Sequence, residues 1–272
     1  MTPRGKLLLT LAGAAAVILI WRSHDPNAPR QNPPNSACKA VTFESSRFTE
    51  CVAVPGKHRI SMRITGSDGV IYRGFFNLRR DLPGKSPGNS VAFAMNGGMY
   101  DASSQPIGYY AENGNRLYPL NQRDADGNFY LKPNGVFFGD AAGNWRVMSS
   151  EDFAAQITTR PEFGTQSGPM LLRGGRLHPK ISPNGTSAKI RNAVGVDPQG
   201  RAHFVISDDP VTFGRLARFL QNHAHANDAL FFDGEVSALW DPASDRLDAR
   251  YPLGPLILVE NVTKSAAKGP AK

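Results

Sequence analysis

Three short runs of apolar residues, each ended abruptly by polar residues or glycine, constrain the fold of this 272-residue chain most strongly. The runs and the residues that end them are 91–95 with Asn96, Gly97 and Gly98, 203–207 with Asp208 and Asp209, and 229–232 with Asp233 and Gly234. Short apolar runs bounded by Gly, Asn and Asp predict β-strands. The polar residues and glycines that follow the three runs either form ordinary turns, in which these residue types are common, or assemble a polar site at one end of a sheet.

The rest of the pattern predicts many strands and few helices. Alternating apolar and polar residues predict half-buried strands at 39–43 and 58–64. A short helix is predicted after Ser149 or Ser150, since either residue can cap it. A clearer helix begins at Thr212 and places apolar side chains at i, i+3, i+4 and i+7. We therefore predict an α+β fold, a single domain built on a mixed, strand-rich sheet.

The first 22 residues have the pattern of an export signal, because Arg4 and Lys6 precede an uncharged run over residues 7–21. The run has fifteen residues, whereas a membrane-spanning helix needs about 20. Trp21 and the flanking arginines can anchor its ends and extend its reach. We favour an uncleaved membrane anchor over a cleaved signal. Both interpretations predict an exported protein of the periplasm or cell envelope.

Composition divides the chain into four parts. A signal peptide or membrane anchor at 1–22 is followed by a Pro- and Asn-rich linker at 23–36, which should stay extended. Residues 37–262 are long enough for one sizeable domain. The tail at 263–272 has the composition of a disordered segment.

The charge of the predicted domain makes a nucleic-acid partner improbable. The formal net charge of the whole chain is +8. Residues 1–36 hold four basic residues and one acidic residue, and residues 263–272 hold three lysines, so the domain itself carries only +2. The chain also has no run of Lys and Arg interleaved with aromatic residues. We predict membrane contact only through the N-terminal segment, and the sequence indicates no particular oligomeric state.

The cysteine and histidine content favours a structural disulfide over a metal site. Cys38 and Cys51 are the two cysteines of the chain. In an oxidising compartment we expect them to pair, which would contribute roughly 3 kcal/mol by the loop-entropy argument. His223 and His225 stand at the end of the predicted helix, where a solvated helix end is a better interpretation than a metal site. We expect no metal and no cofactor.

The remaining candidates for chemistry are carboxylates and one cation. A serine-hydrolase interpretation fails because the chain has no Gly-x-Ser-x-Gly motif. Asp208 and Asp233 follow apolar runs directly, so their carboxylates should project from strand ends. Arg191 lies among residues with the pattern of a buried strand. Its guanidinium either pairs with a structural carboxylate or is directed at an anion.

Five motifs, in order along the chain, resemble those of the phosphodiester glycosidase domain. They are residues 96–100 (NGGMY), residues 132–137 (KPNGVF), residues 166–169 (QSGP), Arg191 before residues 193–195 (AVG), and residues 232–234 (FDG). The resemblance extends from about residue 92 to residue 259, which is most of the predicted domain. Enzymes of this family cleave the bond between the anomeric carbon of a sugar and a phosphodiester oxygen.

The resemblance implies a carbohydrate phosphodiester substrate and a role for each matched residue. The leaving group would be a phosphate monoester, whose second pKa of about 6 makes it a stable anion. Arg191 is then the clamp that holds this phosphate. Asp233 stabilises the oxocarbenium-like transition state or activates water, with Glu235 or Asp208 as its partner. The residues assigned to substrate binding are Asn96, Gly97, Gly98, Asn134, Gln166, Ser167 and Ser237.

One residue departs from the family pattern. The last motif of the family resembles Leu-Asp-Gly-Gly-x-Ser, and here Glu235 replaces the second glycine. Its carboxylate would block the approach of a ligand, change the specificity, or serve as an additional acid or base. The main alternative to an enzyme is a non-catalytic envelope protein that binds glycan on the same scaffold, favoured if Glu235 fills the cleft. Cleavage of the P–O bond instead of the C–O bond would need a metal pair or a histidine.

Overall fold

The computed structural model describes residue 33, residues 35–82 and residues 90–262. The predicted signal or anchor at 1–22, most of the linker and the tail lie outside the described residues. Within them, the chain is a strand-rich α+β domain with three sheets and three short α-helices. No helix of this described part is both long and apolar enough to cross a bilayer.

The large sheet has seven antiparallel strands. In spatial order they are β1 (Cys38–Phe43), β2 (Ser46–Ala53), β13 (Ala202–Ser207), β12 (Asn192–Val196), β14 (Asp228–Asp233), β10 (Met170–Arg173) and β11 (Arg176–Leu177). Strand β12 lies between β13 and β14 and runs opposite to both. The C-terminal ends of β13 and β14 therefore lie at the same end of the sheet, on either side of the first residue of β12.

Two further sheets have five strands each, also antiparallel. The second sheet consists of β16 (Arg246–Leu247), β15 (Leu239–Asp241), β4 (Val91–Asn96), β17 (Leu256–Asn261) and β3 (His58–Arg63). The third sheet consists of β6 (Asn115–Tyr118), β5 (Tyr110–Glu112), β9 (Phe163–Ser167), β7 (Gly135–Gly139) and β8 (Trp145–Ser149). The prediction of one mixed sheet was wrong, because the described strands divide among three sheets and every pair is antiparallel. All three apolar runs are strands as predicted, but β4 lies in a different sheet from β13 and β14.

One short helix packs on the outer face of each sheet. The helices are α1 (Phe75–Asp81) on the second sheet, α2 (Ser150–Gln156) on the third, and α3 (Phe213–Arg218) on the large sheet. A turn of π-helix over Phe219–His223 continues α3. Both predicted helices are confirmed, with Ser149 and Thr212 as their caps. Helix α1 was not predicted, because its cap is Gly74, which has no side chain to signal it.

The main core lies between the three sheets, and it explains why the three strands are continuously apolar. In β14, Leu230 and Phe232 enter this shared core, whereas Ala229 and Phe231 pack in the cluster beneath α3. Successive residues of a strand point to opposite faces. A strand covered on both faces therefore needs apolar residues at every position, without alternation.

The predicted disulfide between Cys38 and Cys51 is confirmed. The two residues face each other across the β1–β2 pair, at the outer edge of the large sheet. Disulfides are typical of proteins in oxidising compartments, so this bond agrees with the predicted export.

A buried ionic network centred on Glu50 joins β2 to β13 near the disulfide. The ring nitrogens of His203 lie 2.8 Å from Oε1 of Glu50 and 3.1 Å from Oδ2 of Asp197. The second oxygen of Glu50 lies 3.1 Å from Nζ of Lys39 and 3.3 Å from Nε2 of His223. Burial raises the pKa of Glu50, but the contacts with His203 and Lys39 outweigh burial and lower it to about 2. His223 is thus half-buried against a carboxylate instead of solvated at a helix end.

Candidate active site

A cavity of about 590 Å³ lies at the end of the large sheet where strand β14 ends and strand β12 begins. Arg191, Asp233 and Glu235, three of the four residues predicted to be catalytic, line it. We refer to it as the main cavity. It lies on the α3 side of the sheet, since Phe213 and Phe231 form part of its wall.

Arg191 immediately precedes β12 and is only 2% exposed. Its Nε donates to the carbonyl of Val211 at 2.9 Å, and Nη2 donates to the carbonyl of Ser187 at 3.2 Å. The guanidinium carbon lies 3.9 Å from the centroid of the Phe213 ring, a cation–π contact. Burial lowers the pKa of the Arg191 guanidinium.

Arg191 forms no ion pair with any carboxylate of the described residues, and its Nη1 has no hydrogen-bond partner among them. The structural pairing considered from the sequence is therefore not found within residues 35–82 and 90–262. A buried cation without a counter-charge retains much of its desolvation cost, and binding an anion would offset that cost. The geometry fits the other interpretation, in which Arg191 is directed at an anion.

Gly234 allows the guanidinium of Arg191 to occupy this position, because the turn after β14 passes directly against it. A Cβ atom at position 234 would lie 2.9 Å from Nη1 of Arg191 and 3.1 Å from the ring of Phe231. Any larger residue would push the guanidinium out of place. The glycine of the FDG motif is therefore explained by the position of Arg191.

Asp233 is the last residue of β14 and lines the main cavity together with Phe231. Its Oδ1 accepts hydrogen bonds from the backbone amides of Glu235 at 2.7 Å and Val236 at 3.0 Å. Burial raises the pKa of Asp233; these amides oppose the increase and the charge of Glu235 adds to it. Asp233 and Arg191 both line the main cavity and do not form an ion pair with each other.

Glu235 lies at the rim of the main cavity and does not fill it. Its side chain is 78% exposed, and Oε1 lies 2.6 Å from Nζ of Lys189, which also lines the cavity. The hydrogen bond from Lys189 lowers the pKa of Glu235. In this arrangement the carboxylate does not block the cavity.

Aromatic side chains that were not predicted as site residues complete the wall. Tyr100 lines the cavity, its hydroxyl donates to the carbonyl of Pro252 at 3.0 Å, and burial together with the charge of Asp233 raises its pKa. Tyr100 ends the first motif quoted above, so its position was visible in the sequence. Phe213 was visible only as part of the apolar face of α3, and its contact with Arg191 could not be read from that pattern.

Asn96 and Ser237 do not line the main cavity, but they form hydrogen bonds with residues next to it. Oδ1 of Asn96 accepts from Nδ2 of Asn192 at 2.9 Å and from the amide of Ala238 at 2.8 Å, which joins β4 of the second sheet to β12 of the large sheet. The hydroxyl of Ser237 donates to the carbonyl of Asp233 at 3.0 Å. Both side chains hold the elements that carry Asp233 and Arg191.

The contacts of Gly97 and Gly98 are with the protein itself. A Cβ atom at 97 would lie 2.2 Å from the side chain of Ile257, and one at 98 would lie 2.1 Å from Oγ1 of Thr165. Gly98 also has a φ of +99°, which favours glycine. Close packing against β17 of the second sheet accounts for Gly97, and close packing against β9 of the third sheet accounts for Gly98.

Three other residues assigned to substrate binding are fully buried in protein contacts. Nδ2 of Asn134 donates to the carbonyl of Phe129 at 2.8 Å, and the hydroxyl of Ser167 donates to the carbonyl of Phe232 at 3.2 Å. The amide of Gln166 binds main-chain groups of two loops. None of the three lines the main cavity.

Asp208 is not brought to the cavity either. Its carboxylate lies 2.8 Å from Nη1 of Arg246 and accepts from the hydroxyl of Thr49 at 2.8 Å. Asp209 pairs with Arg47 at 2.6 Å. The two aspartates that follow β13 therefore form ion pairs away from the main cavity, and Asp233 and Glu235 are the carboxylates of the described residues that line it.

Known proteins resemble this chain in sequence and in fold. The family model for phosphodiester glycosidase matches residues 89–247. Uncharacterized protein YigE of Escherichia coli (strain K12) is 34% identical over 208 residues, which cover 76% of this chain and 79% of that protein.

Among solved structures, the catalytic domain of zebrafish N-acetylglucosamine-1-phosphodiester alpha-N-acetylglucosaminidase, auto-inhibited by its pro-peptide, superposes with a TM-score of 0.55 at 15% identity. The match covers 82% of this chain and 81% of that one. At this identity the likeness shows a shared fold. Taken with the sequence matches, it shows that the chain belongs to the phosphodiester glycosidase family.

Proposed function

We propose that this protein is an exported hydrolase that cleaves the glycosidic bond between a sugar C1 and a phosphodiester oxygen. The observation that carries the proposal is the buried guanidinium of Arg191, which has no carboxylate partner among the described residues and shares a cavity with Asp233. Arginine binds phosphate oxygens through two parallel hydrogen bonds. Family membership supports the same chemistry.

Arg191 acts on the leaving group. When the C1–O bond breaks, its electron pair stays on the phosphate oxygen, and the product is a phosphate monoester. The second pKa of such a monoester is about 6, so it departs as an anion without a strong general acid. Hydrogen bonds from a preorganised guanidinium stabilise the charge as it develops.

Asp233 acts on the anomeric carbon. Its ionised carboxylate stabilises the positive charge that develops on the sugar ring in an oxocarbenium-like transition state. Water then adds its oxygen to C1, and its proton passes to Asp233 and on to solvent. Backbone amides hold one carboxylate oxygen in place, which orients the group before substrate binds.

The competing hypothesis, a glycan-binding protein without catalysis, would be favoured by a cleft that Glu235 fills. The exposed position of that carboxylate at the rim, paired with Lys189, removes this argument. We therefore retain the enzyme as the proposed function.

Turnover of a sugar-1-phosphodiester tests the proposal. The full-length protein in detergent is incubated with UDP-N-acetylglucosamine and related substrates in ¹⁸O-labelled water, and free reducing sugar and phosphorus NMR are followed. We expect sugar release with ¹⁸O in the sugar. Asp233→Asn should lower kcat by at least about 10²-fold, because the neutral amide neither stabilises the cation nor accepts the proton.

Asp209→Asn is the matched control, since Asp209 also follows a strand of the large sheet but pairs with Arg47 outside the cavity. It should keep wild-type turnover. Folded wild-type protein that releases no sugar, folded Asp233→Asn that retains full activity, or ¹⁸O in the phosphate would each overturn the proposal. Circular dichroism of every variant establishes that it is folded.

A further inference from the structure

A second cavity of about 350 Å³ adjoins the main cavity. It lies between residues 106–108 and 118–123, and Ile107 lines both cavities. We call the second cavity the side groove. Nothing in the proposed chemistry uses it.

Hydrogen bonds along the shared wall place the two cavities next to each other. The amide of Ile107 donates to the carbonyl of Met99, which lines the main cavity, at 3.2 Å. The carbonyl of Ile107 accepts from Nδ2 of Asn121, which lines the side groove, at 2.7 Å. The segment that forms the groove also continues to Asn128 on the wall of the main cavity. The two cavities are therefore neighbours that meet at Ile107.

The side groove combines apolar walls with one free cation. Pro106, Ile107, Pro119 and Leu120 contribute apolar surface, and none of the lining residues is acidic. Arg123 is exposed and forms no ion pair within the described part of the chain; its Nε lies 3.4 Å from Oδ1 of Asn121. Such a lining fits a flat ring that carries a nearby negative charge.

The acidic residue next to Arg123 in sequence does not neutralise it. Asp124 pairs with Nζ of Lys132 at 2.6 Å. The same Nζ donates to the carbonyl of Gln122 at 2.8 Å. Lys132 thus both occupies the nearby carboxylate and holds the segment that carries Arg123.

The buried side chain of Gln166 holds the backbone of the side groove in place. Its Nε2 donates to the carbonyl of Asn121 at 2.7 Å, and its Oε1 accepts from the amides of Asn121 at 2.9 Å and Tyr109 at 2.8 Å. One buried amide therefore fixes both walls relative to each other. A site that is formed before the ligand arrives loses less entropy when it binds. This gives Gln166 a positioning role, without contact with the substrate.

We propose that the side groove is a subsite for the leaving group, and that it selects substrates whose phosphate bears a second anion and a ring, as in a nucleoside-diphosphate sugar. The inference rests on the proposed function. The sugar lies against Asp233, the reacting phosphate at Arg191, and the next phosphate and the ring beyond Ile107, near Arg123. The side groove would thereby bind the part of the leaving group that lies beyond the reacting phosphate.

Two substrates with the same sugar test the subsite. One is the methyl phosphodiester of N-acetylglucosamine 1-phosphate, which ends before the groove, and the other is UDP-N-acetylglucosamine. Arg123→Gln should lower kcat/KM for the nucleotide substrate about tenfold, mainly through KM, because it removes one charge-assisted contact. The methyl diester should change less than twofold. Arg79→Gln, an exposed arginine on α1, is the matched control and should affect neither.

Binding of the product UDP, measured by calorimetry against inorganic phosphate, separates failure of the subsite from failure of the proposed function. We expect UDP to bind at least about tenfold more tightly than phosphate, and Arg123→Gln to abolish most of that difference. Equal binding of UDP and phosphate, or an equal effect of Arg123→Gln on both substrates, would overturn the subsite. Absence of turnover with UDP binding intact would overturn only the proposed function.

Discussion

The protonation of Asp233 depends on groups within three residues of it. Burial raises its pKa, three backbone amides lower it, and the charge of Glu235 raises it again. A carboxylate with a raised pKa takes up its proton at a higher pH than an ordinary aspartate, whose pKa is about 3.9. The residue that departs from the family pattern thus acts on the candidate catalytic group through its charge.

Glu235→Gln should extend activity to lower pH. If Asp233 acts as proposed, kcat/KM of the wild type should fall as the pH drops through its raised pKa, because the carboxylate becomes protonated. The substitution removes a negative charge and frees the positive charge of Lys189, and both changes favour ionised Asp233. The acid limb of the pH–rate profile should therefore move to lower pH. Asp209→Asn should leave it in place, and an unmoved limb in Glu235→Gln would contradict the assignment of Asp233.

At this scale the sequence reveals residues whose chemistry stands out locally. Asp233 and Arg191 were recognisable because charged residues stand at the ends of apolar strands. The contacts of Gly97 and Gln166 were not recognisable, because their partners Ile257 and Asn121 are 160 and 45 positions away in the sequence. A glycine needed for packing has the same local pattern as one needed for ligand approach.

At the scale of elements, α3 and its cap hold the side chain of Arg191 in place. The hydroxyl of Thr212 accepts from the amide of Arg215 at 3.2 Å, which makes Phe213 the first residue of the helix. Phe213 stacks on Arg191, and the carbonyl of Val211, just before the cap, accepts from its Nε. The start of this helix therefore supports the guanidinium on two sides.

Two cap variants separate stability from function. Thr212→Ala and Ser149→Ala each remove the cap hydrogen bond of a helix, and Ser149→Ala also removes the bond that its hydroxyl donates to Oδ2 of Asp152. Each variant should lower the free energy of unfolding by about 1 kcal/mol in urea titrations. Thr212→Ala should also weaken the binding of inorganic phosphate, measured by calorimetry, because α3 supports Arg191. Ser149→Ala, on a helix outside the main cavity, should leave phosphate binding unchanged. Equal phosphate affinity in the two variants would show that the cap does not act on the site.

The cap residues, together with the apolar periodicity of α3, made α2 and α3 predictable. The arrangement of the sheets was not predictable. Strand pairs join distant parts of the chain: Cys51 on β2 pairs with Phe204 on β13. No local pattern specifies such partners. An apolar run also has the same appearance in a parallel and an antiparallel sheet, which is why the prediction of a mixed sheet was wrong.

At the scale of the molecule, we expect the Glu50 network to contribute to acid stability. The pKa of Glu50 is about 2 in the folded protein, compared with about 4.3 for an ordinary glutamate. A lowered pKa means that the ionised carboxylate stabilises the folded state above the unfolded pKa. This stability is lost as the pH falls from about 4.3 towards 2.

His203→Gln should shift acid unfolding to higher pH. The variant leaves Glu50 buried without its main partner, so the pKa of Glu50 should rise and the folded state should be less stable even at neutral pH. Circular dichroism during an acid titration measures the midpoint. His225→Gln, an exposed histidine nearby in sequence, should leave the midpoint unchanged. Identical midpoints for wild type and His203→Gln would show that the network does not limit acid stability.

The unneutralised charge of Arg191 also has a consequence for how long the protein survives. A protein that binds a ligand only when folded gains stability with ligand concentration, and here the ligand would supply the missing counter-charge. Proteases cleave chains that open transiently, at a rate that follows the population of open molecules. The lifetime of this protein would therefore lengthen when its anionic substrate is abundant and shorten when the substrate is exhausted, so that supply of substrate would regulate the amount of enzyme without any change in its synthesis.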